Sequence, residues 1–280
     1  MEFVKLVGPF GTIFIMFCLG LNLTIEDFSK IIKKPNNLVV GFVCQLLALP
    51  LIGLILVKLY PMRDEFQLGV FLLLILPSAV MSNYATRLVN GNVALSIMLT
   101  SICALLSFIS IPIYLSLFQI FIFEANFDLE LFKFSLKMFF FISLPTMLGI
   151  YFRFKFPKYI ASKTFKLDRA ALFLFLFIIF YAIYTERMNL VNYFDDTGAI
   201  SFVIVIFILS SVLVITNLFI EDIKSKRAVI IEALLQNGAM GIVIGAQIFD
   251  KVEYITPIAI YALIQYIILL FYIGNITLKK

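Results

Sequence analysis

Of the 17 acidic residues in this 280-residue chain, only Glu232 lies well inside an apolar run. A charge at the centre of a bilayer costs at least about 2.5–3.5 kcal/mol on insertion scales, so such a carboxyl needs a partner, a proton or a wet cavity. Its surroundings, Ile231-Glu232-Ala233-Leu234-Leu235-Gln236-Asn237-Gly238, gather a carboxyl, two amides and a glycine within about two helical turns. A second polar interruption reads Leu76-Pro77-Ser78-Ala79-Val80-Met81-Ser82-Asn83. Pro77 has no N–H to donate and clashes with the preceding turn, which favours a kink or an unwound stretch. One such interruption in each half of an apolar chain points to a secondary-transporter binding site. Unwound backbone offers carbonyls to a cation, and half-helix N-termini favour an anion. Ser96 and Thr100, spaced i,i+4, share one helix face, and Gln45 lies midway along another apolar run. Taken singly, such residues serve as hydrogen-bond glue between helices. Together with Glu232 they provide the oxygen atoms that a hard monovalent cation requires.

The elements that must hold these residues follow from composition. The chain is 62% hydrophobic and 14% charged, against about 25% charged in soluble domains. Nine apolar segments, at 7–23, 37–59, 66–89, 94–123, 132–153, 170–185, 199–220, 228–249 and 254–277, each approach the roughly 20 residues of a membrane-crossing helix. They are continuous runs rather than period-2 alternations, so the reading is an all-α membrane protein and not a β-barrel. Alternate connections carry 15 of the 22 basic residues: Lys30, Lys33 and Lys34, then Arg87, the cluster over 153–169, the group over 224–227, and Lys279 with Lys280. That asymmetry predicts a multi-pass protein of the plasma (inner) membrane, with the N-terminus outside and the C-terminus cytoplasmic. The first segment reads as a retained helix, because it lacks a basic lead and a small-residue cleavage site. The net charge of +5 is then a topology signal rather than a nucleic-acid footprint.

Several chemistries are excluded. The chain has no His, which removes His-based catalysis and His metal sites. Cys18, Cys44 and Cys103 are far apart in apolar runs and read as small hydrophobes. None of the eight Asp falls within a span, so an aspartyl intramembrane protease is excluded as well. The reading is not an enzyme.

Five motifs follow one another along the chain: Phe17-Cys18-Leu19-Gly20-Leu21 with Glu26-Asp27-Phe28, Gln45 with Pro50, and Pro77…Ser82-Asn83. Gly91-Asn92-Val93-Ala94-Leu95-Ser96…Thr100 and Glu232…Gln236-Asn237-Gly238 complete the set. In order and relative spacing they resemble the bile acid:sodium symporter family. The resemblance implies a nine-span member with two broken, crossing helices. It also implies a panel (1–36 and 131–190) that rocks against a core (37–130 and 191–280). It implies two coupling sodium ions and no other cofactor. One ion would use Ser82, Asn83, Ser96, Thr100 and Glu232. The other would use Gln45, Glu232, Gln236 and the carbonyls of Ala233 and Leu235. An organic anion would bind beside Asn237 and the turn Ser78-Ala79-Val80, where the family commonly has Gly-Gly-Thr. The expected activity is sodium-coupled symport of a small organic anion by alternating access. The alternatives are a proton-coupled or efflux carrier of the same broken-helix design, or a ligand sensor that does not transport.

Overall fold

The computed structural model describes residues 2–24, 26, 29, 35–122, 131–248 and 252–278. Lys30, Lys33, Lys34, Lys279 and Lys280 of the topology signal, and Asp27 and Phe28 of the family motif, lie outside the described residues. The chain forms α1 (Glu2–Leu21), α2 (Pro35–Leu59), α3 (Asp64–Leu74), α4 (Met81–Leu88) and α5 (Val93–Phe121). There follow α6 (Phe132–Lys155), α7 (Pro157–Phe219), α8 (Ile223–Leu234), α9 (Gly238–Ile248) and α10 (Thr256–Thr277). Among the described residues, six helices (α1, α2, α5, α6, α7 and α10) are long and apolar enough to cross a bilayer. The expected segments 66–89 and 228–249 are each split into two short helices, α3/α4 and α8/α9.

Segments 170–185 and 199–220 differ from expectation in another way: both lie within α7, one uninterrupted helix of 63 residues. It cannot be straight. Asn22 Nδ2 donates to Asp168 Oδ1 and Asn36 Nδ2 to the Phe219 carbonyl, each at 2.7 Å. A straight helix would part residues 168 and 219 by roughly 77 Å, whereas the chain between 22 and 36 can span only roughly 50 Å. α7 therefore folds back. Its first arm lies on α1, where Leu174 and Ile178 meet Gly11. Asp195 and Asp196 sit beside Tyr60–Arg63, and the Arg63 guanidinium stacks over Tyr193 and Phe66. The bend thus falls in the polar stretch between the two apolar segments. That stretch, 186–198, which sequence spacing assigned to a loop, lies within the helix Pro157–Phe219.

α1 and α6 cross at a pair of glycines. A Cβ on Gly20 would strike the Thr146 carbonyl, and one on Gly149 would strike the Phe17 carbonyl. Close backbone approach of this kind supplies the dispersion contact that holds helices together in lipid. α2 and α6 each contain a π-helical turn, Val43–Ala48 and Phe139–Ser143. Each turn is followed by Leu-Pro, at Pro50 and Pro145. A proline cannot donate to the carbonyl a turn behind it, and a π turn re-registers the ladder around that gap.

Candidate functional site

The geometry of the site begins with caps. Asn90 adopts a left-handed conformation (φ 52°) at the end of α4, a conformation that Asn tolerates better than most residues. Two residues on, the Asn92 side chain accepts from Leu95 N (3.1 Å) and so starts α5. This fixes the face on which Ser96 and Thr100 stand. Asn92 N donates to the Lys224 carbonyl at 2.9 Å, and its Nδ2 to Ser225 Oγ at 3.2 Å. Arg227 Nη1 donates to the Val89 carbonyl at 2.8 Å. The α4–α5 connection is thereby tied to the start of α8, which Asp222 caps through Lys224 N and Ser225 N. α8 runs on from there to Glu232, near its last turn.

The two interruptions meet. α3 ends at Leu74 and α4 begins at Met81; α8 ends at Leu234 and α9 begins at Gly238. Ser78 and Gln236 form an isolated antiparallel bridge across the gaps, with Ala79 N donating to the Leu235 carbonyl at 3.0 Å. Four hydroxyls converge on the Glu232 carboxylate here. Ser78 and Thr100 donate to Oε2, the latter at 2.6 Å, and Ser82 and Ser96 donate to Oε1. Ser96 Oγ also lies 2.8 Å from Asn83 Oδ1, and Ser78 Oγ lies 3.0 Å from Thr100 Oγ1. Glu232 is 1% exposed, and no described Lys or Arg is within ion-pair distance of it. Each hydroxyl keeps lone pairs while its proton faces the carboxylate. The cluster is therefore an oxygen shell with one negative charge and no protein cation. Such a set suits a hard monovalent cation. A divalent or soft metal would call for more carboxylates or for His and Cys ligands, and among the described residues no group of three such ligands occurs.

The other sequence-derived residues lie around this shell. Gln45 is buried in the π-helical turn of α2, its Nε2 without a partner, and that turn packs on α8. Gln236 is fully buried; its Nε2 holds the Ala233 carbonyl at 3.0 Å, and its Oε1 is unpartnered. An orphaned buried oxygen is an open position for a cation. The Ala233 and Leu235 carbonyls each already accept one bond and retain a second lone pair. Asn237 Oδ1 accepts from Met240 N at 3.1 Å and caps α9. Ala79 and Val80 are buried within the α3–α4 turn, their carbonyls accepting from Ser82 N and Asn83 N. Ser78, expected beside the organic substrate, has its hydroxyl on the carboxylate.

Sequence reading missed Gln265. This fully buried residue of α10 pairs through both amide atoms with the backbone of Gln236, at 3.1 and 2.9 Å. Its signal was a lone amide midway along the last apolar run.

Helices of this length and apolarity around an oxygen-lined, carboxylate-centred site describe a membrane protein of the secondary-transporter kind. The model of the Sodium Bile acid symporter family matches residues 9–193, and the chain belongs to that family. It is 27% identical over 271 residues to the uncharacterized sodium-dependent transporter YocS of Bacillus subtilis (strain 168), covering 91% of this chain and 79% of that protein. It is also 35% identical over 99 residues to the probable sodium/metabolite cotransporter BASS3, chloroplastic, of Oryza sativa subsp. japonica. That match covers 35% of this chain and 23% of the plant protein. Over 149 residues it is 28% identical to the probable BASS2 cotransporter of the same plant.

Proposed function

We propose that this chain is a sodium-coupled symporter of a small organic anion. The observation that carries the reading is the Glu232 carboxylate, buried without a protein cation and ringed by hydroxyls from the α3–α4 turn, α4 and α5. One sodium ion would be held by Glu232, Ser82, Asn83, Ser96 and Thr100. A second would be held by Glu232, Gln45, Gln236 and the Ala233 and Leu235 carbonyls. Two ions against one carboxylate leave a surplus of one positive charge, which favours an anion beside the α4 and α9 N-termini. Each positive charge moved inward contributes about 2.3 kcal/mol per 100 mV of membrane potential.

The chain would cross the membrane nine times, with two broken, crossing helices, its N-terminus outside and its C-terminus cytoplasmic, in a plasma or inner membrane. The panel (1–36 and 131–190) and the core (37–130 and 191–280) would rock against each other, exposing the ion site to each side in turn. The α7 fold-back supports that division, since the boundary near 190 falls between its two arms.

The test is thermal stabilisation of the purified protein by small carboxylates and sulfonates, in sodium and in potassium. Ligand stabilisation follows occupancy. A carboxylate or sulfonate that stabilises in sodium alone fits the proposal. Stabilisation that ignores the cation and varies with pH would replace it with proton coupling.

A further inference from the structure

Gln236 lies where the chain is unwound between α8 and α9, so its backbone groups have no helical partner. Its bridge to Ser78 is flanked by the bond from Ala79 N to the Leu235 carbonyl. In an antiparallel pair of that kind the hydrogen bonds fall beside the paired residues, whose own N–H and C=O point outward. At membrane depth, groups left pointing outward find nothing to bond in lipid.

Gln265 meets both. Its Oε1 accepts from Gln236 N at 3.1 Å and its Nε2 donates to the Gln236 carbonyl at 2.9 Å. A primary amide presents donor and acceptor in one plane, as a peptide group does, so this side chain acts as a single residue of a third strand. Both partners are 0% exposed. The Gln236 side chain is held just as closely, its Nε2 on the Ala233 carbonyl and its Oε1 left buried and unpartnered.

We propose that Gln265 is a positioning residue for the cation site. It sets the register of residues 235–237, and through that register the placement of the Gln236 oxygen and of the Leu235 and Ala233 carbonyls. It touches no ion. The inference rests on the sodium reading above, and its test separates the two.

Purified wild type and Gln265→Met are titrated with sodium chloride at constant ionic strength, potassium replacing sodium, and the thermal midpoint is followed. Methionine fills the same volume and makes neither hydrogen bond. The expected result is a rise of about tenfold or more in the sodium concentration for half-maximal stabilisation, the scale of losing interactions of this strength. A shape-filling role alone would lower the midpoint equally in both salts and leave that concentration unchanged, which would overturn the proposal. Should Gln265→Met not accumulate as folded protein, Gln265→Asn, one methylene short of spanning both groups, is titrated instead, with a rise of at least about threefold expected. The same sodium concentration as wild type would overturn the proposal there too. A wild type that ignores sodium overturns the sodium reading itself, and this inference with it.

Discussion

Ser78 places a fourth hydroxyl on Glu232, and glycine is what the family pattern commonly has there. Ser78→Gly removes one charge-assisted hydrogen bond, worth about 1.5–3 kcal/mol, and leaves the Ser82, Ser96 and Thr100 hydroxyls in place. The expected outcome is a rise of roughly tenfold in the sodium concentration that half-saturates uptake, with transport retained; unchanged sodium dependence would exclude Ser78 from the ion shell. Most of the residues that gather on Glu232 were legible from their types and spacing, because a polar side chain in an apolar run must have a partner. Two things were not. Ser78 sits in a turn whose direction its own sequence does not define, and Gln265 resembles any other amide that joins helices.

At the scale of elements, the cap and the glycine crossing carry separate loads. Asn92→Ala removes the α5 cap and the tie to Ser225, a loss of about 1 kcal/mol for the cap alone. A fall of roughly 2–4 °C in thermal midpoint is expected, read by a melt of the purified protein. Gly149→Leu drives a side chain into the Phe17 carbonyl. Backbone cannot yield as a flexible side chain does, so loss of folded protein from the membrane fraction is expected, measured by size-exclusion chromatography. Hydropathy located these helices well, since each needs about 20 apolar residues. It could not show that the stretch from Pro157 to Phe219 stays helical, because whether 186–198 is loop or helix depends on local bonding rather than polarity.

For the whole molecule, the fold-back of α7 puts Asp168 and Phe219 at one end and Asp195 at the other. Single cysteines introduced at Asp195 and at Lys224, in a background with Cys18, Cys44 and Cys103 replaced by Ala, distinguish the sides. A membrane-impermeant maleimide added to intact cells is expected to label the first and not the second; labelling of both from one side would contradict the nine-crossing topology. The basic asymmetry is what predicts that topology from sequence. The substrate was not readable, since no motif encodes the chemistry of whatever lies beside the broken helices. The most direct test of the account is equilibrium binding of radioactive sodium to purified wild type and Glu232→Gln. An amide keeps the shape, still accepts at one of the two oxygen positions and removes the charge, so saturable sodium binding is predicted in wild type and its loss in the variant. Equal binding by the two proteins would contradict a cation site built on Glu232.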